Sequence, residues 1–236
     1  ITTGDINGDG VDEVITAAGA GTIGPLVRVF DYWGNQLFEF FAYSENFRGG
    51  AKVTAADLYG DGTDEIITGA GPGGGSHVRI WNNSGERIAQ FFAYSENFRG
   101  GIDVAAVDAT SDTSSAVITA PGSGGGPQVR IFDVYGNSVG QFFAYAPEFR
   151  GGVHIDAVNI LAEDGIARPI VATSLASNGS PDFRSYFLNG DLHGQFSQFE
   201  EWWLGGYDIS FGSDGLIAVS SIGGRRTSIR YAEQIF

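Results

Sequence analysis

The amino-acid sequence predicts an all-β fold, a β-propeller of four-stranded antiparallel blades. Three observations predict it: a string of eleven residues that recurs at a constant spacing, four short apolar runs in each repeat, and glycines at fixed places between the runs. The string FFAYSENFRGG occupies residues 40–50 and returns unchanged at 91–101, and an edited copy, FFAYAPEFRGG, occupies 142–152. This period of about 51 residues is typical of repeat architectures, so function is considered unit by unit.

The four apolar runs of each repeat have the length and composition of β-strands. In the second repeat they span residues 51–57, 64–70, 77–82 and 87–94. They are rich in Val, Ile, Phe and Thr, they are bounded by Gly, Asn or Asp, and they show no helical period. Each unit is therefore predicted to be an antiparallel meander that buries both faces against neighbouring units arranged around a ring.

The turn between the third and fourth runs carries a glycine at a fixed place. It reads DYWGN at 31–35, NNSGE at 82–86 and DVYGN at 133–137. Glycine supplies the positive φ that a tight hairpin requires. The repeated turn therefore predicts an antiparallel pairing of the third and fourth strands in each unit.

An arginine that recurs once per unit in the third run counts five units: Arg28, Arg79, Arg130, Arg184 and Arg230. We predict a single domain over 1–236 whose repeats are approximately 1–52, 53–103, 104–154, 155–208 and an incomplete fifth unit, 209–236. Two arrangements remain open, a five-bladed ring with an unfinished last blade and a part of a larger ring.

The ends of the chain lead to two further expectations. Ile1 aligns with Val53 inside a first strand, and there is neither an initiating Met nor a signal-like segment, so we expect a piece of a longer protein. The chain stops at Phe236, just after a third strand. We therefore expect an open strand edge that a further segment or another chain covers.

The composition excludes several classes of function. The net charge is −15, with a pI near 4.3, which argues against nucleic acid or an anionic membrane as a partner and suits a cation binder. No apolar run approaches the roughly 18 residues of a membrane helix. The absence of Cys excludes disulfides and thiol catalysis.

An oxygen-rich loop lies between the first and second runs of unit one and reads DINGDGVDE from Asp5 to Glu13. Side-chain oxygens stand at positions one, three, five and nine, the backbone carbonyl of Val11 can add another ligand, and Gly10 permits a sharp bend. Calcium takes about six to eight hard oxygen ligands. The pattern predicts a calcium site; an ordinary Asp-Gly turn without metal is the alternative.

With this loop between two strands, the chain resembles the FG-GAP repeat family, the β-propeller type of integrin α-subunits. The resemblance covers all 236 residues as a repeat pattern and is specific in the first two units. It implies calcium ligands in the first unit at Asp5, Asn7, Asp9, the Val11 carbonyl and Glu13. In the second unit it implies Asp57, Asp61, the Thr63 carbonyl and Glu65, with Tyr59 in place of one ligand.

The later units depart from the calcium pattern. Unit three keeps Asp108, Thr110 and Asp112 but has Thr113 for the glycine and Ala116 for the last carboxylate. Unit four (Asn159, Leu161, Glu163) and unit five (213–215) have lost it. We therefore expect calcium in the first two loops, where it stabilises the fold.

The resembled fold places the loops opposite the calcium loops on one face, which carries a candidate ligand site. The residues expected there are aromatic or cationic: Tyr43, Arg48, Tyr94, Arg99, Tyr145, Arg150, Trp202 and Trp203. Aromatic side chains and Arg are enriched in recognition surfaces. The alternative is that the tyrosines pack between blades and that the arginines pair with Glu.

The three histidines, His77, His154 and His193, fall at unrelated repeat positions, which argues against a zinc cluster. No Ser/His/Asp spacing recurs, so no catalytic constellation is evident. The first hypothesis is a non-enzymatic, calcium-binding propeller of an extracellular or cell-surface protein that acts in adhesion or protein–protein contact. The second is a lectin-like propeller that binds glycans by aromatic stacking. The third is a polysaccharide lyase or hydrolase domain.

Overall fold

A computed structural model describes residues 1–21, 24–108, 114–161, 164–177, 182–197, 206–211, 217–221 and 229–232. These residues form nineteen β-strands in five separate antiparallel sheets. Four sheets have four strands each, and the fifth has three strands within the described residues. The chain is a β-propeller of four-stranded blades, as the sequence predicts.

The strands follow the apolar runs closely. Blade one contains β1 (Thr2–Gly4), β2 (Glu13–Ala17), β3 (Leu26–Phe30) and β4 (Gln36–Phe41). Blade two contains β5 (Ala51–Ala56), β6 (Glu65–Ala70), β7 (His77–Trp81) and β8 (Arg87–Phe92). Blade three contains β9 (Ile102–Val107), β10 (Ala116–Pro121), β11 (Gln128–Phe132) and β12 (Ser138–Phe143).

Blade four differs from the first three at its inner hairpin. It contains β13 (Val153–Leu161), β14 (Ala167–Leu175), β15 (Phe183–Phe187) and β16 (Leu192–Phe196). The first two of these strands are nine residues long, so the hairpin extends through the place where blades one and two have their carboxylate loop. The fifth sheet contains β17 (Tyr207–Phe211), β18 (Ile217–Ser221) and β19 (Ile229–Ala232).

The hairpin between the third and fourth strands is the same in four blades. Its glycine has a positive φ of 73–89°, at Gly34, Gly85, Gly136 and Gly190. In each case the register shifts by a β-bulge near the end of the third strand. The glycine requirement read from the sequence is therefore confirmed for this turn.

The first strands of the five sheets lie at the centre of the molecule. They line one cavity of about 660 Å³, to which β1, β5, β9, β13 and β17 all contribute. Successive first strands also contact each other, β5 with β9 and β9 with β13. This arrangement is the central channel of a propeller.

The apolar core lies between the blades. The core cluster of the first interface joins Ile15 and Val29 of blade one to Ile66 and Trp81 of blade two. An aromatic pair recurs at three successive interfaces, with ring centroids 4.5–4.8 Å apart: Phe40 with Trp81, Phe91 with Phe132, and Phe142 with Tyr186. Aromatic side chains therefore fill part of each of these blade interfaces.

None of the described residues belongs to a helix of the length and hydrophobicity that would cross a membrane.

Candidate functional site

The first carboxylate loop is organised around Asp5. Its Oδ1 accepts hydrogen bonds from the backbone N–H groups of Gly8 (2.8 Å) and Asp9 (3.1 Å), and its Oδ2 accepts one from Gly10 (2.8 Å). Asp9 in turn accepts the N–H of Val11 at 2.9 Å. Gly10 has a φ of 85° and Gly8 a φ of 77°, so the sharp bend depends on glycine.

Glu13, the last residue of the loop pattern, points into the protein. It is 3% exposed, and its Oε2 accepts the N–H of Ile6 at 3.0 Å while its Oε1 accepts the Asn7 side-chain amide at 2.9 Å. Burial raises the pKa of Glu13, and the charges of Asp9 and Asp5 raise it further. A cation in this loop would relieve that repulsion.

The second loop repeats the first with its own residues. Asp57 accepts the N–H groups of residues 60, 61 and 62 at 2.7–3.1 Å, and Glu65 accepts the N–H of Leu58 at 3.1 Å. Burial raises the pKa of Glu65 to about 7, with further contributions from the charges of Asp61 and Asp57. Tyr59, which stands at position three of the loop where unit one has Asn7, is 47% exposed.

Carboxylates also join the loops of neighbouring blades. Asp64 of blade two accepts the N–H of Asp5 in blade one at 3.1 Å, and Asp108 of blade three accepts the N–H of Asp57 at 3.0 Å. Burial and the nearby charge of Asp108 raise the pKa of Asp64 to about 7. Negative charge therefore accumulates where the first two loops meet the next blade.

The two loops fit calcium by donor type and by charge. Their side chains offer oxygen ligands, and in the described part of the chain no Lys or Arg forms an ion pair with a loop carboxylate. Within the same residues, no three His, Cys, Asp or Glu side chains converge as a ready metal cluster. The carboxylates accept hydrogen bonds from backbone N–H groups of the loops instead. A bound cation would contact the same carboxylate oxygens, beside these hydrogen bonds or in place of them.

The remaining loops of the sequence pattern are only partly described. Thr110, Asp112 and Thr113 of unit three, Glu163 of unit four and residues 213–215 of unit five lie outside the described residues. Asn159 and Leu161 belong to the extended strand β13. The described part of unit four therefore forms a hairpin there, in line with the loss of its loop pattern.

On the opposite face, the tyrosines of the repeated string reach into the next blade. Each hydroxyl lies 2.7–3.0 Å from two backbone carbonyl oxygens there: Tyr43 from Thr68 and His77, Tyr94 from Thr119 and Gln128, and Tyr145 from Thr173 and Asp182. Burial raises the pKa of all three. The tyrosines are therefore packing residues, the alternative noted for them above, and their hydroxyls do not face a ligand.

An arginine of the next blade completes each of these contacts. Its guanidinium carbon lies 4.9–5.1 Å from the tyrosine ring centroid, and its Nη1 donates to the carbonyl of the alanine before that tyrosine. We call this pair the inter-blade latch, which consists of Tyr43 with Arg79, Tyr94 with Arg130, and Tyr145 with Arg184. Cation–π contact and a charge-assisted hydrogen bond both stabilise it.

The arginines predicted for the ligand face have a local role. Arg48, Arg99 and Arg150 are exposed, and each donates from Nη1 to carbonyl oxygens of its own loop. They bind main-chain carbonyls and not the Glu side chains that the alternative proposed. Trp202 and Trp203 lie outside the described residues.

The two glycines that end the string are required by close packing. A Cβ at the first would lie 2.0–2.1 Å from a carbonyl oxygen of the next blade, at Gly49 against Pro72, Gly100 against Ser123, and Gly151 against Ser177. The second has a positive φ of 73–87°, at Gly50, Gly101 and Gly152. Much of the repeated string therefore serves the blade interface.

A charged network spans three blades at the mouth of the central channel. Asp103 of blade three lies 2.8 Å from the Nδ1 of His154 in blade four and 3.6 Å from the Nζ of Lys52 in blade two. It also accepts the N–H of Ile155 at 3.3 Å. Although burial opposes it, the charge of Lys52 and the hydrogen bond from His154 lower the pKa of Asp103 to about 2.

Sequence reasoning missed both the latch arginines and this network. The third-strand arginines were visible as a repeat, and the available signal was their similar spacing from the string tyrosines, 36 residues in the first two pairs and 39 in the third. Lys52, Asp103 and His154 occupy equivalent first-strand positions but differ in residue type, so comparison of the repeats gives no signal for them.

Comparison with known proteins shows the fold alone. No protein-family model matches the chain. No curated protein matches it either. The FG-GAP resemblance therefore rests on the repeat and loop motifs.

Three solved structures illustrate the likeness. The exotype rhamnogalacturonan lyase YesX has a TM-score of 0.52 and 12% identity, covering 96% of this chain and 54% of that one. A protein of unknown function from Bacteroides caccae has a TM-score of 0.48 and 12% identity over 93% and 72% of the two chains. The Dos1 propeller has a TM-score of 0.44 and 12% identity over 95% and 66%. This chain thus spans about half the length of YesX.

Proposed function

We propose that this chain is a calcium-stabilised binding propeller of an extracellular or cell-surface protein, which acts in adhesion or protein–protein contact and catalyses no reaction. The observation that carries the proposal is the pair of carboxylate loops. Each holds a buried Glu among aspartates without a basic partner in the described residues. Calcium supplies the missing positive charge.

The first site would be formed by the side chains of Asp5, Asn7, Asp9 and Glu13 and by the Val11 carbonyl, as in the FG-GAP pattern. The second would use Asp57, Asp61, the Thr63 carbonyl and Glu65. Because Tyr59 replaces one ligand, the second site should bind more weakly than the first. Both lists are ligand sets proposed from the resemblance and the donor types.

A structural role for calcium follows from the position of the loops. Asp64 and Asp108 tie each loop to its neighbour, so ordering a loop also stabilises a blade interface. Extracellular calcium modules commonly bind at about 10⁻⁴–10⁻³ M. With an affinity of ~0.1 mM at ~1 mM calcium, each filled site would stabilise the fold by about 1.4 kcal/mol.

The test is a thermal melt of the chain with calcium and with EGTA, together with calcium titration calorimetry. We expect calcium to raise the Tm and to bind at one or two sites, one lost in Asp9→Ala and the other in Asp61→Ala. Asp12→Ala is the matched control, because Asp12 lies in the first loop, is exposed, and is not a proposed ligand. Absence of both a Tm shift and binding heat would refute the calcium proposal.

The non-catalytic part of the proposal has its own test, since YesX is a lyase and shares the fold. The purified chain should show no turnover of rhamnogalacturonan or other polysaccharides with calcium present. Calcium-dependent turnover that Asp9→Ala abolishes, with the fold intact by circular dichroism, would contradict this part and leave calcium binding standing.

A further inference from the structure

A cleft lies between blades one and two on the face opposite the carboxylate loops. It has a volume of about 440 Å³, and its lining includes Tyr43, His77, Arg79, Phe92 and Arg99. Pockets of this size suit small-molecule ligands. Its lining combines two guanidinium groups with one carboxylate, that of Glu96, in a protein with a net charge of −15.

The guanidinium of Arg79 is only partly satisfied by the protein. Its Nη1 donates to the carbonyl of Ala42 at 2.7 Å, whereas its buried Nε has no acceptor among the described residues. Arg130 repeats this in blade three, with Nη1 bound to the carbonyl of Ala93 at 2.9 Å and a buried Nε without an acceptor. Buried N–H groups without a partner are uncommon and require an explanation.

Among the described residues, a carboxylate accepts the arginine Nε in blades one and four but not in blades two and three, where Gln90 and Gln141 stand opposite Arg79 and Arg130. Asp182 of blade four accepts hydrogen bonds from the Nε (3.0 Å) and the Nη2 (2.6 Å) of Arg184. In blade one, Glu39 accepts the Nε of Arg28 at 2.9 Å. The protein therefore shows what group this guanidinium edge binds, namely a carboxylate.

The residue at the position of Asp182 can be compared directly between blades two, three and four. The equivalents of Asp182 are His77 in blade two and Gln128 in blade three, because the tyrosine of the preceding blade contacts the backbone carbonyl of each. The pKa of Arg184 is raised by its hydrogen bond to Asp182 although burial opposes it. The pKa of Arg79, without such a partner, is lowered by burial.

We propose that the cleft between blades one and two binds the carboxylate of a small sugar acid through Arg79, and that Arg130, whose Nε also lacks an acceptor among the described residues, offers a second carboxylate site between blades two and three. The ligand carboxylate takes the Nε and Nη2 edge that Asp182 takes on Arg184. Guanidinium and carboxylate groups match in geometry and form strong paired hydrogen bonds. The proposal goes beyond the calcium-stabilised binding role and requires no calcium at this face.

The other walls of the cleft favour a sugar acid over an acidic peptide. Phe92 is 43% exposed and stacks on His77 with ring centroids 4.6 Å apart. An exposed aromatic face is suited to the C–H face of a sugar ring. Arg99, whose Nη1 donates to carbonyls of its own loop, offsets the charge of Glu96 in the lining. A single small acid avoids the repulsion that the net charge of −15 exerts on an extended polyanion.

The experiment is a titration of the full chain in calcium buffer with D-glucuronate and, in parallel, with D-glucose, followed by calorimetry and by NMR. Glucuronate should bind and glucose should not, since the two sugars differ in the carboxylate.

His77→Asp places a carboxylate where blade four has Asp182. It should weaken binding at the first cleft by at least about tenfold and leave the latch intact.

Gln128→Asp should remove the second site in the same way, and the double variant should lose glucuronate binding at a Tm equal to or above that of the wild type, because each new carboxylate partners a buried Nε. Conversely, Asp182→Ala should free the Nε and Nη2 of Arg184 and add a site. Equal binding of glucose and glucuronate, or full binding in the double variant, would overturn the proposal. A glutamate-containing peptide that binds where glucuronate does not would overturn the sugar-acid assignment. Because these variants lie far from the carboxylate loops, failure here is distinguishable from failure of calcium binding.

Discussion

Tyr145 and Thr173 exchange two hydrogen bonds across the interface between blades three and four. The tyrosine hydroxyl donates to the threonine carbonyl at 3.0 Å and accepts from the threonine Oγ1 at 3.1 Å. Tyr94 and Thr119 do the same one blade earlier, at 2.9 and 3.2 Å. The phenol is thereby satisfied as donor and acceptor, and the interface is held by backbone as well as by side chains.

The first prediction concerns this hydroxyl. Tyr145→Phe should lower the free energy of unfolding by about 1–2 kcal/mol, because the carbonyl and the hydroxyl of Thr173 then lose a buried partner. Urea denaturation measures the change. Tyr135→Phe is the control, since Tyr135 is 78% exposed and should cost less than about 0.5 kcal/mol. Equal effects of the two substitutions would show that the Tyr145 hydroxyl adds nothing to the interface.

The second prediction concerns the packing of the string glycines. Gly100→Ala should destabilise the protein by about 1–3 kcal/mol or more, because the new Cβ would lie 2.1 Å from the carbonyl oxygen of Ser123. At Gly19 a Cβ would meet no heavy atom of the described residues within 4 Å, so Gly19→Ala is the matched control. Chemical denaturation compares the two variants. If Gly100→Ala were as stable as Gly19→Ala, the close approach would be without consequence.

The third prediction is a pH dependence of the calcium-free protein. Glu65 has a folded-state pKa of about 7, raised from 4.5, so the folded state holds this proton to higher pH than the unfolded state does. The free energy of unfolding should therefore fall as the pH rises from about 4.5 to about 7. Glu65→Gln should remove part of that slope and make the calcium-free protein more stable at about pH 8.

The measurement for this third prediction is urea denaturation in EGTA at several pH values. Glu45→Gln, at an exposed loop position, is the control and should keep the wild-type slope. Calcium should restore stability at high pH in the wild type and less so in Glu65→Gln. An unchanged slope in Glu65→Gln would mean that another group, such as Asp64, carries the pH dependence.

The fourth prediction concerns the channel network. Asp103→Ala should cost about 1–3 kcal/mol, because Ile155 N–H and His154 lose a buried acceptor. The folded-state pKa of Asp103 is depressed, so its contribution is present above the unfolded value of about 3.8 and disappears as the pH falls through about 2. Asp208→Ala is the control, since Asp208 is an exposed residue on the same channel. A difference between variant and wild type that persists at about pH 2 would contradict the assignment.

The sequence predicts the strands and turns of this protein well because both depend on local patterns. Gly85 predicts its hairpin since few other residues adopt a positive φ, and Ile1 aligns with Val53 as the strand register confirms. The direction of a repeated side chain does not follow from its repetition. Tyr43 and Arg48 recur equally often, yet only Tyr43 is turned into the next blade, because tertiary packing decides this.

The candidate sites also include one part that the sequence predicts and one part that it does not. The donor types and the spacing of the carboxylate loops are visible in the sequence, and the calcium that they would hold stays a prediction. The cleft at Arg79 was not predictable, because the argument for it depends on the lack of a hydrogen-bond acceptor for the Nε of Arg79 among the described residues. Only the comparison with Asp182, three-dimensionally equivalent to His77, identifies the unoccupied edge of the guanidinium.

The latch has a direction along the chain, since each tyrosine is held by the blade that follows its own. On a ribosome, a newly made blade therefore cannot complete its interface until about 51 further residues have emerged, a delay of about 3–10 seconds at ordinary elongation rates. Limited proteolysis of arrested nascent chains would detect that lag. The propeller is thus expected to fold vectorially during synthesis, one blade behind the growing end, with its newest blade always the most vulnerable to misassembly.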